Sequence, residues 1–135
     1  MVYTKKFDDW NNEKKRIDEI KLSFFPKSRE IRYCKLGVNI GFEADGKGEF
    51  SRPVLVIQKI GSLFFCIPMT TKHKDNCYHY KLLSISFDRG DSSLMLSQGR
   101  IIDHRRFQEN IGKISKLEFL DIKKLLKEMY LPEDS

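Results

Sequence analysis

The chain changes its apolar period several times, and each change marks an element. Over residues 5–22, Phe7, Trp10, Ile17 and Ile20 recur near helical spacing on an otherwise charged stretch, with a break at Lys14. Asp8 and Asp9 suit the first turn, where the helix dipole favours negative charge, and Phe24-Phe25-Pro26 ends the segment because the residue before a proline resists helix. Arg29–Leu36 alternates as a strand. A glycine-bearing connection of about fifteen residues follows, Gly37 to Ser51, longer than connections usually run. Val54–Ile57 is continuously aliphatic, which predicts a strand covered on both faces. Pro53 suits its first residue and leaves Arg52 as the last residue of the loop. Gly61-Ser62 makes a tight reversal between strands over 54–60 and 63–69. Counted outward from that turn, Ile60 faces Leu63 and Arg52 falls near Thr71, so Arg52 and the Thr70-Thr71 pair should be neighbours.

Beyond the hairpin the pattern predicts a strand over 79–85, a turn over 87–91, and short strands over 93–96 and 100–102. Ser115 with Glu118 three residues on reads as a capping box. It opens a helix whose Leu117, Leu120, Leu125, Leu126, Met129 and Tyr130 are expected to face the core, with Pro132 closing it.

Composition narrows the classes. The 135 residues make one compact domain, and a formal net charge of +6 with pI ≈ 9.2 favours an anionic partner such as nucleic acid. Cys34, Cys66 and Cys77 form no CxxC pair and read as reduced thiols of a cytoplasmic protein. No apolar run follows Met1–Lys6, so no signal peptide is expected, and none is long enough for a membrane span. Gly46-Lys47-Gly48 lacks the Ser or Thr of a phosphate loop. His73, Asp75, Cys77 and His79 alternate, but six residues of strand span roughly 20 Å, too far for His73 and His79 to share an ion. No metal site and no cofactor are expected.

Several marks stand in one order: Leu36-Gly37, Gly41-Phe42-Glu43, Ser51-Arg52-Pro53-Val54-Leu55-Val56-Ile57, Ile67-Pro68-Met69-Thr70-Thr71-Lys72, Leu94-Met95-Leu96-Ser97-Gln98-Gly99-Arg100-Ile101 and Ile111-Gly112-Lys113-Ile114. Together they resemble the MazF/PemK toxins of type II toxin–antitoxin systems. The resemblance implies a mainly β fold with flanking α-helices, an SH3-like β-barrel with a C-terminal helix over 29–131. Residues 1–28 lie outside it as an N-terminal helical extension, expected to dock on the barrel and bury Phe7, Trp10 and Ile17.

The resemblance also implies a metal-independent endoribonuclease, usually a homodimer, that cuts single-stranded RNA and is silenced by an antitoxin protein. Attack of the ribose 2′-hydroxyl leaves a cyclic phosphate and a free 5′-hydroxyl. Charge then builds on phosphorus, which calls for a fixed cation and hydrogen-bond donors. Arg52 matches the family's catalytic arginine and Thr70 its catalytic threonine. Glu43 matches an acidic loop residue that takes the 2′-hydroxyl proton or reads a base. Phe42 offers a ring to stack on a base, and Thr71, Lys72, Gln98 and Arg100 sit where family members contact RNA or order the site. One branch, the Kid-like toxins, carries an arginine and an aspartate where this chain has Met95 and Ser97. That departure leaves the general base unassigned and keeps open an inactive, RNA- or protein-binding descendant. A gyrase poison of the CcdB type shares the fold but ends on tryptophan, whereas the only tryptophan here is Trp10.

Overall fold

The computed structural model describes residues 4–21, 25–41, 43, 45–46, 50–85 and 92–133. The turn expected over 87–91, and Phe42, lie outside the described residues. In chain order the elements are α1 (Phe7–Asp18), β1 (Glu30–Lys35), β2 (Ser51–Ile60), β3 (Leu63–Thr70), β4 (His79–Lys81), β5 (Ser93–Met95), β6 (Arg100–Asp103), β7 (Phe107–Lys113) and α2 (Lys116–Tyr130). The sheet runs β4-β5-β3-β2-β1-β7, with β6 also paired to β3. Every ladder is antiparallel. The fold is thus mainly β with flanking helices, as expected, but its path of strands is open rather than a closed barrel.

The aliphatic run in β2 is covered on both faces, because side chains alternate across a strand. Leu55 and Ile57, with Ile67 and Met69 of β3, join the core under α2. Val54 and Val56, with Phe64 and Cys66, form a second core with Cys34, Leu36, Ile102 and Phe107. Trp10, Ile17 and Val38 make a third, completed by Phe50, where α1 docks.

Several expected boundaries move. Arg52 is inside β2, because β1 pairs with β2 through Pro53 as far as Ser51. Proline is tolerated there since the β3 ladder begins only at Val54. α1 ends at Asp18, and Phe7 stays half exposed while Trp10 and Ile17 are buried. The expected strand over 79–85 stops at Lys81. β7 was not legible as a strand, since its sequence FQENIGK has little alternation.

α2 carries the largest correction. Its buried face is Phe119, Ile122 and Leu126, while Leu117 is 78% and Leu120 59% exposed. Two apolar stripes coexist on this helix, and Glu118 decides between them. Ser115 Oγ caps the helix by accepting from the Glu118 N–H at 3.1 Å. The reciprocal half of the box is absent. The Glu118 carboxylate instead accepts from Tyr80 Oη (2.9 Å), the N–H groups of Leu83 (2.6 Å) and Ser84 (2.9 Å), and Ser84 Oγ (2.5 Å). The segment after β4 is therefore tied to α2, which ends the strand early.

This carboxylate gives a pH signature. Burial raises its pKa, but the hydrogen bonds from Ser84, Leu83 and Tyr80 outweigh burial and hold it below the usual range. A depressed folded pKa stabilises above the unfolded value of about 4.3, and that stability is lost as pH falls through the folded value. In urea unfolding, Glu118→Gln should be less stable than the parent by a constant amount from pH 7 down to about 4.3, and the gap should close below it. A gap independent of pH would show that the ionised form is not what the hydrogen bonds favour.

Candidate active site

The hairpin positions the first two candidates. A β-bulge between Val56 and Gln58 shifts the register by one, so Val54 pairs with Pro68. Carried two residues further, Arg52 stands across from Thr70, not Thr71. Arg52 shares a strand face with Val54 and Val56, and Thr70 shares the matching face with Pro68 and Cys66. The two side chains thus lie on one face, and neither is fully buried.

Arg52 is clamped by main chain. Its Nε donates to the Asp45 carbonyl at 2.6 Å and its Nη1 to the Met69 carbonyl at 2.9 Å. A guanidinium has five N–H donors. Among the described residues none accepts from Nη2, which leaves one edge of the fork for an anion. Burial pushes the guanidinium below its ordinary pKa range, and the nearby Asp45 carboxylate offsets this only in part. Such a half-desolvated, incompletely neutralised cation favours an incoming anion. Thr70 Oγ1 accepts from the Lys72 N–H at 3.1 Å, so the hydroxyl proton is directed elsewhere.

The row continues across the sheet. Cys34 pairs with Arg52, Thr70 with Ser93, and Ser93 with Lys81. Ser93 is fully buried, and its Oγ lies 2.7 Å from Nδ1 of His73. His73 Nε2 lies 3.2 Å from Asp75 Oδ1. Nothing in the local pattern places His73 beside Thr70. Only the pairing of Thr70 with Ser93 brings an imidazole to this row. Its alternation with Asp75, Cys77 and His79 reads only as a metal set, which spacing sets aside, and that leaves its place beside Thr70 unread.

The other candidates divide. Glu43 and Arg100 line a cleft of about 480 Å³ between α1 and the β1–β2 connection. No described hydrogen bond or ion pair joins Glu43 to Arg52 or Thr70. Arg100 Nη1 donates to the Leu36 carbonyl at 3.4 Å. Thr71 and Lys72 are exposed just past β3, and Gln98 is half-buried in a 3-10 turn over Leu96–Gln98. Cys34, buried in the middle of the row, is no nucleophile: burial pushes its thiol up to about 12 against the opposing pull of Arg106 and Arg100.

Solved structures that superpose on this fold include MazF proteins. MazF from Deinococcus radiodurans matches with a TM-score of 0.65 and 17% identity, over 79% of this chain and 97% of that one. Toxin MazF-mt6 from Mycobacterium tuberculosis matches with a TM-score of 0.61 and 13% identity, over 78% of this chain and 100% of that one. An endoribonuclease in complex with its cognate antitoxin, from a mycobacterial species, matches with a TM-score of 0.58 and 11% identity, over 82% and 100%. No curated protein matches in sequence. The family described as PemK-like, MazF-like toxin of type II toxin-antitoxin system matches residues 27–130, and the chain belongs to it. α1 precedes the matched region. Among the described residues no helix is long and apolar enough to cross a membrane.

Proposed function

We propose that this toxin-family protein is an endoribonuclease that cleaves single-stranded RNA without a metal, works as a homodimer, and is neutralised by an antitoxin. The observation that carries the reading is the Arg52 guanidinium clamped by the Asp45 and Met69 carbonyls at the end of the hairpin where Thr70 lies, both residues being partly exposed. The ribose 2′-oxygen attacks the adjacent phosphorus and the bond to the 5′-oxygen breaks. The 2′-proton leaves to a base, and a proton is returned to the departing 5′-oxygen. Arg52 and Thr70 donate to the non-bridging oxygens as charge accumulates. His73, anchored through Ser93, is the side chain that brings a ring nitrogen to this row, where it can accept the proton and return it. Glu43, joined to neither Arg52 nor Thr70 by a described hydrogen bond or ion pair, suits base recognition, and Thr71, Lys72, Gln98 and Arg100 suit RNA contact. Phe42 keeps its proposed stacking role.

The test is a long single-stranded RNA incubated with purified protein and chelator. Fragments ending in 2′,3′-cyclic phosphate and 5′-hydroxyl are expected, and His73→Ala should be slowed and partly rescued by added imidazole. Binding without cleavage would favour the inactive descendant instead.

A further inference from the structure

The extension α1 does more than shield the sheet. Trp10 and Lys14 face the cleft that also holds Glu43, Asn39, Arg100 and Arg106. Lys14 is the residue that interrupts the apolar stripe of α1, and it is exposed at the rim. Lys14 and Arg106 also line a second cleft of about 350 Å³ along the same helix, so the two clefts adjoin.

The arginines here differ in one respect. Arg105 is neutralised, with Asp103 at 2.8 Å and Asp18 at 3.6 Å. Arg106 forms no ion pair among the described residues; its guanidinium lies 5.6 Å from the centre of the Trp10 ring. Burial lowers its pKa and the neighbouring Arg100 lowers it further. Two guanidiniums crowd one wall with no carboxylate bridging them, an arrangement that an anion relieves.

The cleft is close to the reaction row. Cys34 pairs with Arg52 on one side and Phe107 on the other, and Arg106 precedes Phe107. Two strand spacings, about 10 Å, separate those flanking strands. We propose that α1 and the sheet form a subsite for single-stranded RNA beside the scissile phosphate, with Arg100 and Arg106 holding a backbone phosphate and Lys14 a second one. The subsite rests on the ribonuclease reading. The rest of the lining suits nucleotides better than an acidic peptide. Glu43 brings a carboxylate acceptor for base amino groups to the cleft, and Phe7, 50% exposed, offers a stacking surface. A glutamate-rich tail has no flat base to lay on Phe7 and no amino group to offer Glu43.

The experiment measures binding of the full chain to an RNA oligonucleotide made uncleavable by 2′-deoxy substitution, over a range of salt. Arg106→Gln and Lys14→Gln should each weaken binding several-fold and reduce the slope of log K against log salt by about 0.7. Lys14 is exposed and takes part in no described hydrogen bond, so its variant tests the subsite even if Arg106→Gln loosens α1. Arg105→Gln, which removes an already paired charge, should leave the slope at the parent value. Parent-like slopes for both Lys14→Gln and Arg106→Gln, in a protein that still cleaves RNA, would overturn the subsite and leave the nuclease intact. Loss of polyglutamate binding with unchanged RNA binding would overturn it in favour of an acidic protein partner. A parent that neither binds nor cuts RNA would remove the ribonuclease reading and the subsite together.

Discussion

Replacing Arg52 with alanine is expected to slow RNA cleavage about 10³-fold, the loss typical of removing one preorganised donor from a charge-building centre. Two features make the effect large. The guanidinium is held in place before substrate arrives, by the Asp45 and Met69 carbonyls, so little reorganisation is needed during the reaction. It is also partly desolvated, which strengthens its attraction for a phosphorane oxygen. Arg52→Lys should recover only part of the rate, since one ammonium cannot grip two carbonyls and present a fork. Some stability is lost as well, about 1–2 kcal/mol for two carbonyls left without their donor. Thermal unfolding of each variant separates that loss from the catalytic one. A folded Arg52→Ala protein cutting RNA at the parent rate would locate the chemistry elsewhere or in a contaminant.

Trp10→Ala is expected to produce the largest loss of stability, about 3 kcal/mol, or roughly 10 °C in melting temperature. Trp10 is 5% exposed and is the main anchor of α1. It packs 5.4 Å from the Phe50 ring and carries Arg106 over its face. Gly37 makes room for it: a Cβ there would lie 1.9 Å from Trp10 Cε2, and its φ of +77° is one that glycine adopts without strain. Losing this anchor also loosens the strap at the start of the helix, where Lys5 pairs with Asp45 at 3.1 Å and donates to the Gly41 carbonyl at 3.2 Å. Since the Asp45 carbonyl holds Arg52, undocking α1 should reach the reaction row. The expected signature is a lower melting temperature with faster tryptic cutting at Lys14, Lys15 and Arg16. An unchanged melting curve and digestion pattern would mean that α1 is held by other contacts.

These two residues illustrate how differently sequence carries information. Arg52 was legible because it sits before Pro53 and a continuous aliphatic run, and because a two-residue turn returns the next strand to it. Trp10 was legible from helical spacing. The helix after Ser115 was legible too, but its face was not. Leu117 and Leu120 keep helical spacing as well as Phe119 and Ile122 do, and periodicity cannot rank two stripes. The hydrogen bonds that Glu118 accepts from Tyr80, Leu83 and Ser84 rank them. Arg106 carried no local signal, and the alternation around His73 carried none for this row.

By itself the sequence determined the family, the hairpin and the side chains that its turn brings near one another, because these depend on spacing within a short length of chain. The tertiary structure alone decided that a bulge seats Thr70 rather than Thr71 across from Arg52, and that Ser93 draws His73 to the same row. It also decided that α1 sets Lys14 beside Arg106. Each of these follows from contacts between segments distant in the chain, where packing and hydrogen-bond satisfaction, rather than local pattern, select the arrangement.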